Sequence, residues 1–372
     1  MSPAQRDLPR IWTSNPLAVG CTGADRAFDM TVLILSEVQD VHARAVMAAL
    51  AAQGAQSELL DLSEFPAYLT LSIAFEGSKH RFALRRREGG TLDFDTVRAV
   101  WWRRPQPFRP PAGMEPAHRH FALSESATAF QGLFQSLDAF WINVPARDTV
   151  ARHKPYQLAL AQRIGLEIPL TLMTNDVDQA RAFWHKHDGE VIYKQFIALP
   201  DTSRETRRLT PQDEALADSI MHAPVIFQRH VPAVADIRVT AIAGKFFAAA
   251  ADVRDAEYPQ DVRMNLNAKY LAHELPPETA WKLSALMDRL GLVYGAIDLR
   301  LTPDGRYVFL EINPAGQFLY IEYATGQPIT AALAHTLLNK PPADVWAQES
   351  SHDRRAASSP TALASPSTVA AE

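Results

Sequence analysis

The chain has 372 residues, 47% apolar and 21% charged, and its 37 Lys and Arg against 42 Asp and Glu give a formal net charge of −5. That composition excludes a mainly disordered, collagenous or coiled-coil chain, and the length supplies apolar surface for two or three cored domains. The acidic balance argues against broad, salt-dependent nucleic-acid binding.

Residues 1–29 mix Pro, Gly, Asp and Arg without a period and read as a loose extension. Thr31-Val32-Leu33-Ile34-Leu35 is a short β-branched apolar run that suits a buried strand. Asp40 precedes VHARAVMAALAAQG, an amphipathic helix stopped by Gly54, and Glu58-Leu59-Leu60-Asp61-Leu62 supplies the next strand. This strand–helix–strand opening points to an α/β fold. HRFALRRREGGTLDFDTVRAVWW adds two strand-like runs around the Gly89-Gly90 turn. A helix over 115–138 then leads to Trp141-Ile142-Asn143-Val144-Pro145.

From Arg152 the texture changes, and residues 30–150 are expected to form one domain and 151–340 another. HKPYQLALAQRIG is a helix stopped by Gly165, Ile168 to Leu172 is extended, and VDQARAFWHKH is helical. A strand over 190–196 runs into the polar loop ALPDTSRETRR, and a second strand over 224–228 continues through Arg229-His230-Val231. DIRVTAIAGKFFAAAADVR reads as a hairpin turning at Ala243-Gly244. A helix over 277–290, strands over 295–302 and 306–313 joined by Pro303-Asp304-Gly305, and a helix over 328–338 complete the ordered part. Residues 341–372, rich in Ser, Ala, Pro and Thr, read as a disordered tail.

Several chemistries lack their signatures. No Walker-type phosphate loop, G-x-G-x-x-G, G-x-S-x-G or HExxH pattern occurs. The single cysteine, Cys21, rules out an intrachain disulfide and a cysteine-based zinc site. With no apolar stretch fit for a signal peptide or a membrane span, a cytoplasmic protein without a membrane partner is the default.

The most informative segment is GAIDLRLTPDGRYVFLEINPAGQFLYIEYATGQPI. Glu311 and Asn313 are two apart on one strand, so both point to one face, and a hairpin can bring Asp298 opposite them. Three oxygen-bearing side chains on one face suit a hard cation such as Mg2+, which takes its remaining ligands from water and substrate phosphates. The alternative is polar residues on a solvated face. Glu311 and Asn313, however, stand among Val308, Phe309, Leu310, Ile312 and Pro314, and polar groups in such a run need partners if buried. Lys154 opens a helix and Lys194 ends a strand. Each is a point charge suited to phosphate oxygens, and each alone is also compatible with a solvated surface lysine. The loop after Lys194 carries Thr202, Ser203 and Thr206 with Arg204, Arg207 and Arg208, either a phosphate lid or simply a polar loop. Asp236 and Arg238 share a strand face, and Arg263 follows in Asp261-Val262-Arg263; arginines here could brace a transferring phosphoryl group or form surface ion pairs.

Together these features resemble an ATP-grasp fold, and more narrowly the microviridin-type ATP-grasp peptide maturases, or graspetide synthetases. The resemblance is carried by Trp101-Trp102-Arg103-Arg104-Pro105 and by Leu310-Glu311-Ile312-Asn313-Pro314-Ala315-Gly316-Gln317-Phe318. Ile321-Glu322, Thr325-Gly326, Gly295-Ala296-Ile297-Asp298 and Trp141-Ile142-Asn143 add to it, over roughly residues 31–340. It implies an ATP-grasp fold with an N-terminal βαβ pre-grasp domain. It implies that Lys154 and Lys194 contact ATP phosphates, that Gln228 and the backbone of His230 and Val231 form the adenine hinge, and that Asp236 reaches the ribose. Arg238 and Arg263 would hold the γ-phosphate and an acyl phosphate, and Asp298, Glu311 and Asn313 would bind Mg2+. The implied reaction activates Asp or Glu side chains of a ribosomal precursor peptide for attack by a Thr or Ser hydroxyl or a Lys amine. A leader peptide bound near 252–269 and a homodimer are expectations on the same ground. Two departures stand out: Gln228-Arg229-His230 replaces the glutamate common in the hinge, and Asp261-Val262-Arg263 stands where some relatives carry D-W-R.

Trp101 and Trp102 suit core and domain-interface packing. Arg103 and Arg104 fit either a brace at the domain junction or a contact to a peptide carboxylate, and the sequence leaves both open. Two other functions remain in view: a ligase for amino acids or glutamate, and an ATP-binding module without turnover.

Overall fold

The structure, a computed structural model, describes residues 31–196, 206–254 and 268–341. The chain opens with β1 (Thr31–Leu35), α1 (Val41–Ala51) and β2 (Gln56–Leu60). An antiparallel sheet follows, β3 (Leu69–Glu76), β4 (Lys79–Arg86) and β5 (Thr91–Asp93). After it come β6 (Val97–Trp102), α2 (Pro116–Ser136) and β7 (Phe140–Ile142). The parallel sheet runs β2-β1-β6-β7. β1 is apolar along nearly its whole length because both faces are covered, as parallel strands require. α1 starts where it does because Asp40 caps it, its carboxylate accepting from the N–H groups of His42 and Ala43.

Two short helices, α3 (Pro145–Ala151) and α4 (Lys154–Ile164), lead to the small sheet. It contains β8 (Thr171–Thr174), β9 (Val191–Lys194), β10 (Arg207–Arg208) and β11 (Val225–Arg229), ordered β10-β9-β11-β8, with α5 (Val177–Lys186) packed on it. The large sheet is antiparallel and ordered β14-β13-β12-β15-β16. Its strands are β12 (Ala235–Ile242), β13 (Lys245–Asp252), β14 (Tyr270–His273), β15 (Tyr294–Leu301) and β16 (Tyr307–Asn313), with α6 (Pro277–Leu290) between β14 and β15. α7 (Leu319–Thr325) and α8 (Ile329–Leu338) close the described chain.

The alternation of the large sheet decides which residues meet. Ile237, Val239, Ile297, Leu299 and Phe309 point to one face and pack with Leu158 of α4 and with Leu283, Leu286 and Met287 of α6. The other face joins α7, α8 and the first sheet through Ile242, Ala249, Tyr294, Phe318 and Leu333, packed with Val32, Val46 and Trp101. Polar residues of β12, β15 and β16 lie on this second face and become the site described below.

The expected elements are found with boundary shifts of a few residues. β3, β10, β14, α3 and α7 are outside that expectation, and the single run expected after Gly90 divides into β5 and β6; β10 and β14 span only two and four residues. β3 does carry a period-2 pattern, Leu69, Leu71, Ile73 and Phe75, but its far half protrudes beyond the core, with Phe75 exposed. α3 and α7 span seven residues each, too few to show a helical period. The extension 1–29, the lid residues Thr202, Ser203 and Arg204, Arg263 and the tail from 342 lie outside the described residues. No described helix is long and apolar enough to cross a membrane.

Candidate active site

Antiparallel register places a row of charges across three strands. Arg238 of β12 is opposite Asp298 of β15, which is opposite Glu311 of β16. Arg238 Nη1 donates to Asp298 Oδ1 at 2.8 Å, and Lys154 at the start of α4 pairs with Glu311. The next row on the same face is Asp236 opposite Arg300, joined through Arg300 Nε to Asp236 Oδ1 at 2.9 Å. A bulge between Asp298 and Leu299 keeps Asp298 aligned with Glu311 while the strands beyond it shift by one.

Burial would by itself pull the Arg238 guanidinium down, but the Asp298 charge beside it outweighs that and raises it above the ordinary arginine value. Its Nε is buried without a hydrogen bond, and its Nη2 donates to the Gln317 carbonyl at 2.9 Å. This cation is therefore held in place by the strand behind it and by the loop after β16.

Asp298 and Glu311 are both about one-quarter to one-third exposed, and Asn313 lies two residues beyond Glu311 on the same face. Asn313 Oδ1 accepts from the Ala315 N–H at 2.9 Å. Two carboxylates and an amide oxygen form a hard-oxygen donor set, and their partial exposure leaves room for phosphate oxygens, so the residues fit Mg2+. Among the described residues no cluster of three His, Cys, Asp or Glu side chains exists. The set thus depends on the asparagine as its third member.

α4 grips β16 twice. Lys154 and Gln157 are three apart and share a helix face. Gln157 is buried, donates from Nε2 to the Ile312 carbonyl at 2.9 Å and accepts the Ile312 N–H on Oε1 at 3.1 Å. It completes the hydrogen bonds of an edge strand between the two residues that matter, a role the sequence reading does not give it.

The small sheet carries two more of the expected site residues. Ile226 is opposite Lys194 and Gln228 is opposite Ile192, so Lys194 and Gln228 share one face. Gln228 is buried, with Nε2 donating to Thr171 Oγ1 at 3.0 Å and Oε1 without a hydrogen bond. The His230 N–H donates to the Glu190 carbonyl at 2.8 Å. Among the described residues the His230 carbonyl and the Val231 N–H make no hydrogen bond, so both are open for the expected adenine hinge. Burial, with Arg300 and Arg208 nearby, pushes the His230 imidazole down to about 4, so it is neutral at neutral pH.

The first sheet closes over the loop that follows β16. Arg103 is fully buried, and its Nη1 donates to the Ala315 and Gly316 carbonyls at 2.5 and 2.7 Å. Its Nε donates to Asp40 Oδ2 at 3.1 Å. His42 Nε2 accepts from the Phe318 N–H at 3.2 Å. Asn143 holds the adjoining strand, donating to the Tyr294 and Pro314 carbonyls and accepting the Val293 and Tyr294 N–H groups. Burial opposes ionisation of Asp40, yet His42, Arg103 and Ser36 together hold its carboxyl well below the usual carboxylate range. Of the two roles the sequence left open for Arg103, the structure realises the junction brace.

Residues 31–149 match the family model of the MvdD pre-ATP grasp domain. The macrocyclase MdnC of Microcystis aeruginosa MRC, solved with the precursor peptide MdnA, is similar over 84% of this chain and 100% of its own, at 30% identity and a TM-score of 0.75. The chain belongs to the ATP-grasp macrocyclase family. A second macrocyclase of this family from the same organism, MdnB, is similar over 83% of this chain and 99% of its own, at 31% identity and a TM-score of 0.72. A RiPP-associated ATP-grasp ligase of Chryseobacterium gregarium, solved with ADP and a leader and core peptide, is 25% identical over 84% of this chain and 98% of its own, with a TM-score of 0.76. No curated protein sequence matches the chain. In this macrocyclase-family chain the first sheet fastens to the loop that follows the charged row of β12, β15 and β16.

Proposed function

We propose that this ATP-grasp chain is an ADP-forming ligase that joins Asp or Glu side-chain carboxylates of a ribosomal precursor peptide to Thr or Ser hydroxyls or Lys amines, closing ester or amide rings. The observation that carries the reading is the Arg238–Asp298–Glu311–Lys154 row, an alternation of cations and hard-oxygen donors that fits a nucleotide triphosphate and its cation. Family membership and the peptide-bound relatives support the substrate class.

Residues 30–150 act as the pre-grasp domain and 151–340 as the two grasping lobes. Lys154 and Lys194 neutralise ATP phosphates, the hinge at Gln228, His230 and Val231 receives the adenine, and Asp236 takes the ribose. Asp298, Glu311 and Asn313 hold Mg2+, which when bound neutralises charge on the transferring phosphoryl group. The substrate carboxylate oxygen attacks the γ-phosphorus, the bond to the β-phosphate bridging oxygen breaks, and ADP leaves. Arg238 and Arg263 steady the acyl phosphate electrostatically. The hydroxyl or amine then attacks the acyl carbon, phosphate departs and the nucleophile loses its proton. No protein side chain has to act as nucleophile. The reaction runs in the cytoplasm, where ATP is supplied.

The test is ADP release by the full chain with ATP and Mg2+, with and without the short peptide encoded beside its gene, followed by mass spectrometry. Peptide-stimulated release with loss of one water per link is expected, and EDTA stops it. Release that answers only to free amino acids overturns the peptide assignment. Tight ATP binding without turnover overturns the ligase assignment.

A further inference from the structure

The first sheet has a crevice that its topology creates. From β1 the chain crosses through α1 to β2 on one side, while β6 pairs with β1 on the other. The carboxyl ends of β1 and β6 therefore flank a switch point, the place where open parallel sheets bind ligands. Ser36 follows β1, Asp40 caps α1, and Arg103 and Arg104 follow β6 with both N–H groups donating to the Leu35 carbonyl.

Most groups in this crevice are taken. Asp40 Oδ1 accepts the His42 and Ala43 N–H groups, and Oδ2 accepts from Ser36 Oγ and Arg103 Nε. Arg103 Nη1 is committed to the Ala315 and Gly316 carbonyls. The Tyr294 hydroxyl donates to Gly316 O, and Arg152 is bound to Asp148 at 2.6 Å. Arg103 keeps one open nitrogen, Nη2, buried without a hydrogen bond, and Arg104 is freer still. Its half-buried side chain makes no hydrogen bond or ion pair among the described residues, although Asp40 and Tyr294 are near. Burial and the adjacent Arg103 both disfavour its charge. An arginine kept charged in such a place without a counter-ion costs stability unless a ligand supplies the anion.

Its neighbourhood identifies that anion. Arg103 beside it grips the 315–316 carbonyls, and the next carbonyl of the same loop, Gln317 O, accepts from Arg238. Arg103, next to Arg104 in the chain, and Arg238 thus hold one short loop between them, with Arg238 against the proposed cation-binding residues. The phosphate-facing side already holds Lys154 and Arg238. A planar fork in the crevice near Asp40 and Tyr294 suits a carboxylate, which it binds through two parallel hydrogen bonds.

We propose that Arg104 binds the carboxylate that is to be activated, an Asp or Glu side chain of the peptide, at the switch point of the first sheet. This rests on the peptide-ligase reading and names its carboxylate site. The fork holds the carboxylate at the loop's edge, beside the cation row where the phosphoryl group transfers.

The experiment uses the full chain, the peptide encoded beside its gene, and the same peptide with its core Asp and Glu changed to Asn and Gln. Wild type and R104M are compared in peptide binding by fluorescence anisotropy, ADP binding, ADP release and thermal unfolding. Wild type is expected to prefer the acidic peptide by about tenfold or more, the scale of a hydrogen-bonded charge pair. In R104M that preference disappears and peptide-stimulated ADP release is lost, while ADP affinity stays and Tm is unchanged or higher. A retained preference overturns the assignment. So does a fall in Tm together with lost ADP binding, which would make Arg104 a structural brace; R104K, which keeps the charge, then retains Tm. Wild-type protein that releases no ADP with the peptide overturns the peptide-ligase reading itself, and the Arg104 assignment falls with it.

Discussion

A Cβ placed on Gly316 would collide with Ala296 Cβ and come within 2.8 Å of Arg238 Nη2. The loop therefore lies directly on β15 and against the guanidinium that pairs with Asp298. Gly316→Ala is expected to lower stability by about 1–3 kcal/mol, as overpacking does, and to displace Arg238, so that Tm and ADP release fall together. Glu311→Gln keeps the size of the side chain but removes the proposed cation ligand and the partner of Lys154. It is expected to abolish ADP release while far-ultraviolet circular dichroism stays native. His230 gives a pH-dependent signature. Its folded pKa of about 4 lies below the ordinary 6.5, so the unfolded chain takes up the proton first as pH falls. The neutral ring's contribution is complete above pH 6.5 and is lost progressively between 6.5 and 4. Denaturant unfolding of His230→Gln is expected to show a flatter stability profile in that window than wild type, by up to about 3 kcal/mol across it.

At the scale of elements, α1 and α4 do more than pack. The Asp40 that caps α1 also neutralises Arg103, so one carboxylate starts a helix and supports the junction. Asp40→Ala is expected to cost about 1 kcal/mol for the cap. It costs about 3–5 kcal/mol more because Arg103 is left buried and uncompensated. Asp40→Asn keeps an N-cap acceptor and isolates the second term, and urea unfolding of the two variants separates them. α4 reaches β16 through Lys154 and Gln157, a spacing that its 3.6-residue turn dictates. Gln157→Leu is expected to leave the Ile312 backbone groups unsatisfied, and hydrogen exchange at Ile312 should rise before global stability changes much.

Across the whole molecule, the first sheet and the large sheet share one apolar core, and the polar junction of Arg103, His42 and Asn143 fastens that core to the loop after β16. The site is thus assembled from parts far apart in the chain. Arg103→Met is expected to loosen the 315–318 loop: nucleotide affinity weakens, and limited proteolysis cuts there in the native state before the sheets unfold. Equal protease resistance in wild type and variant would count against this coupling.

The sequence by itself determined the elements that local physics dictates. The buried run of β1, the cap of α1, the Gly165 stop of α4 and the turn of β15–β16 depend on residues a few positions apart. It also determined that Asp298, Glu311 and Asn313 share a face, because strand alternation and one hairpin suffice. Which groups meet across long separations was decided by the tertiary structure. Glu311 faces Lys154 rather than solvent, Asp236 is joined to Arg300, and Gln157 supports an edge strand because sheet order brings distant residues together. Arg103 and Arg104 are adjacent in sequence and equal in charge, so no local pattern distinguishes them. Packing does: it surrounds the first with carbonyls and Asp40, and leaves the side chain of the second without a hydrogen bond or ion pair among the described residues.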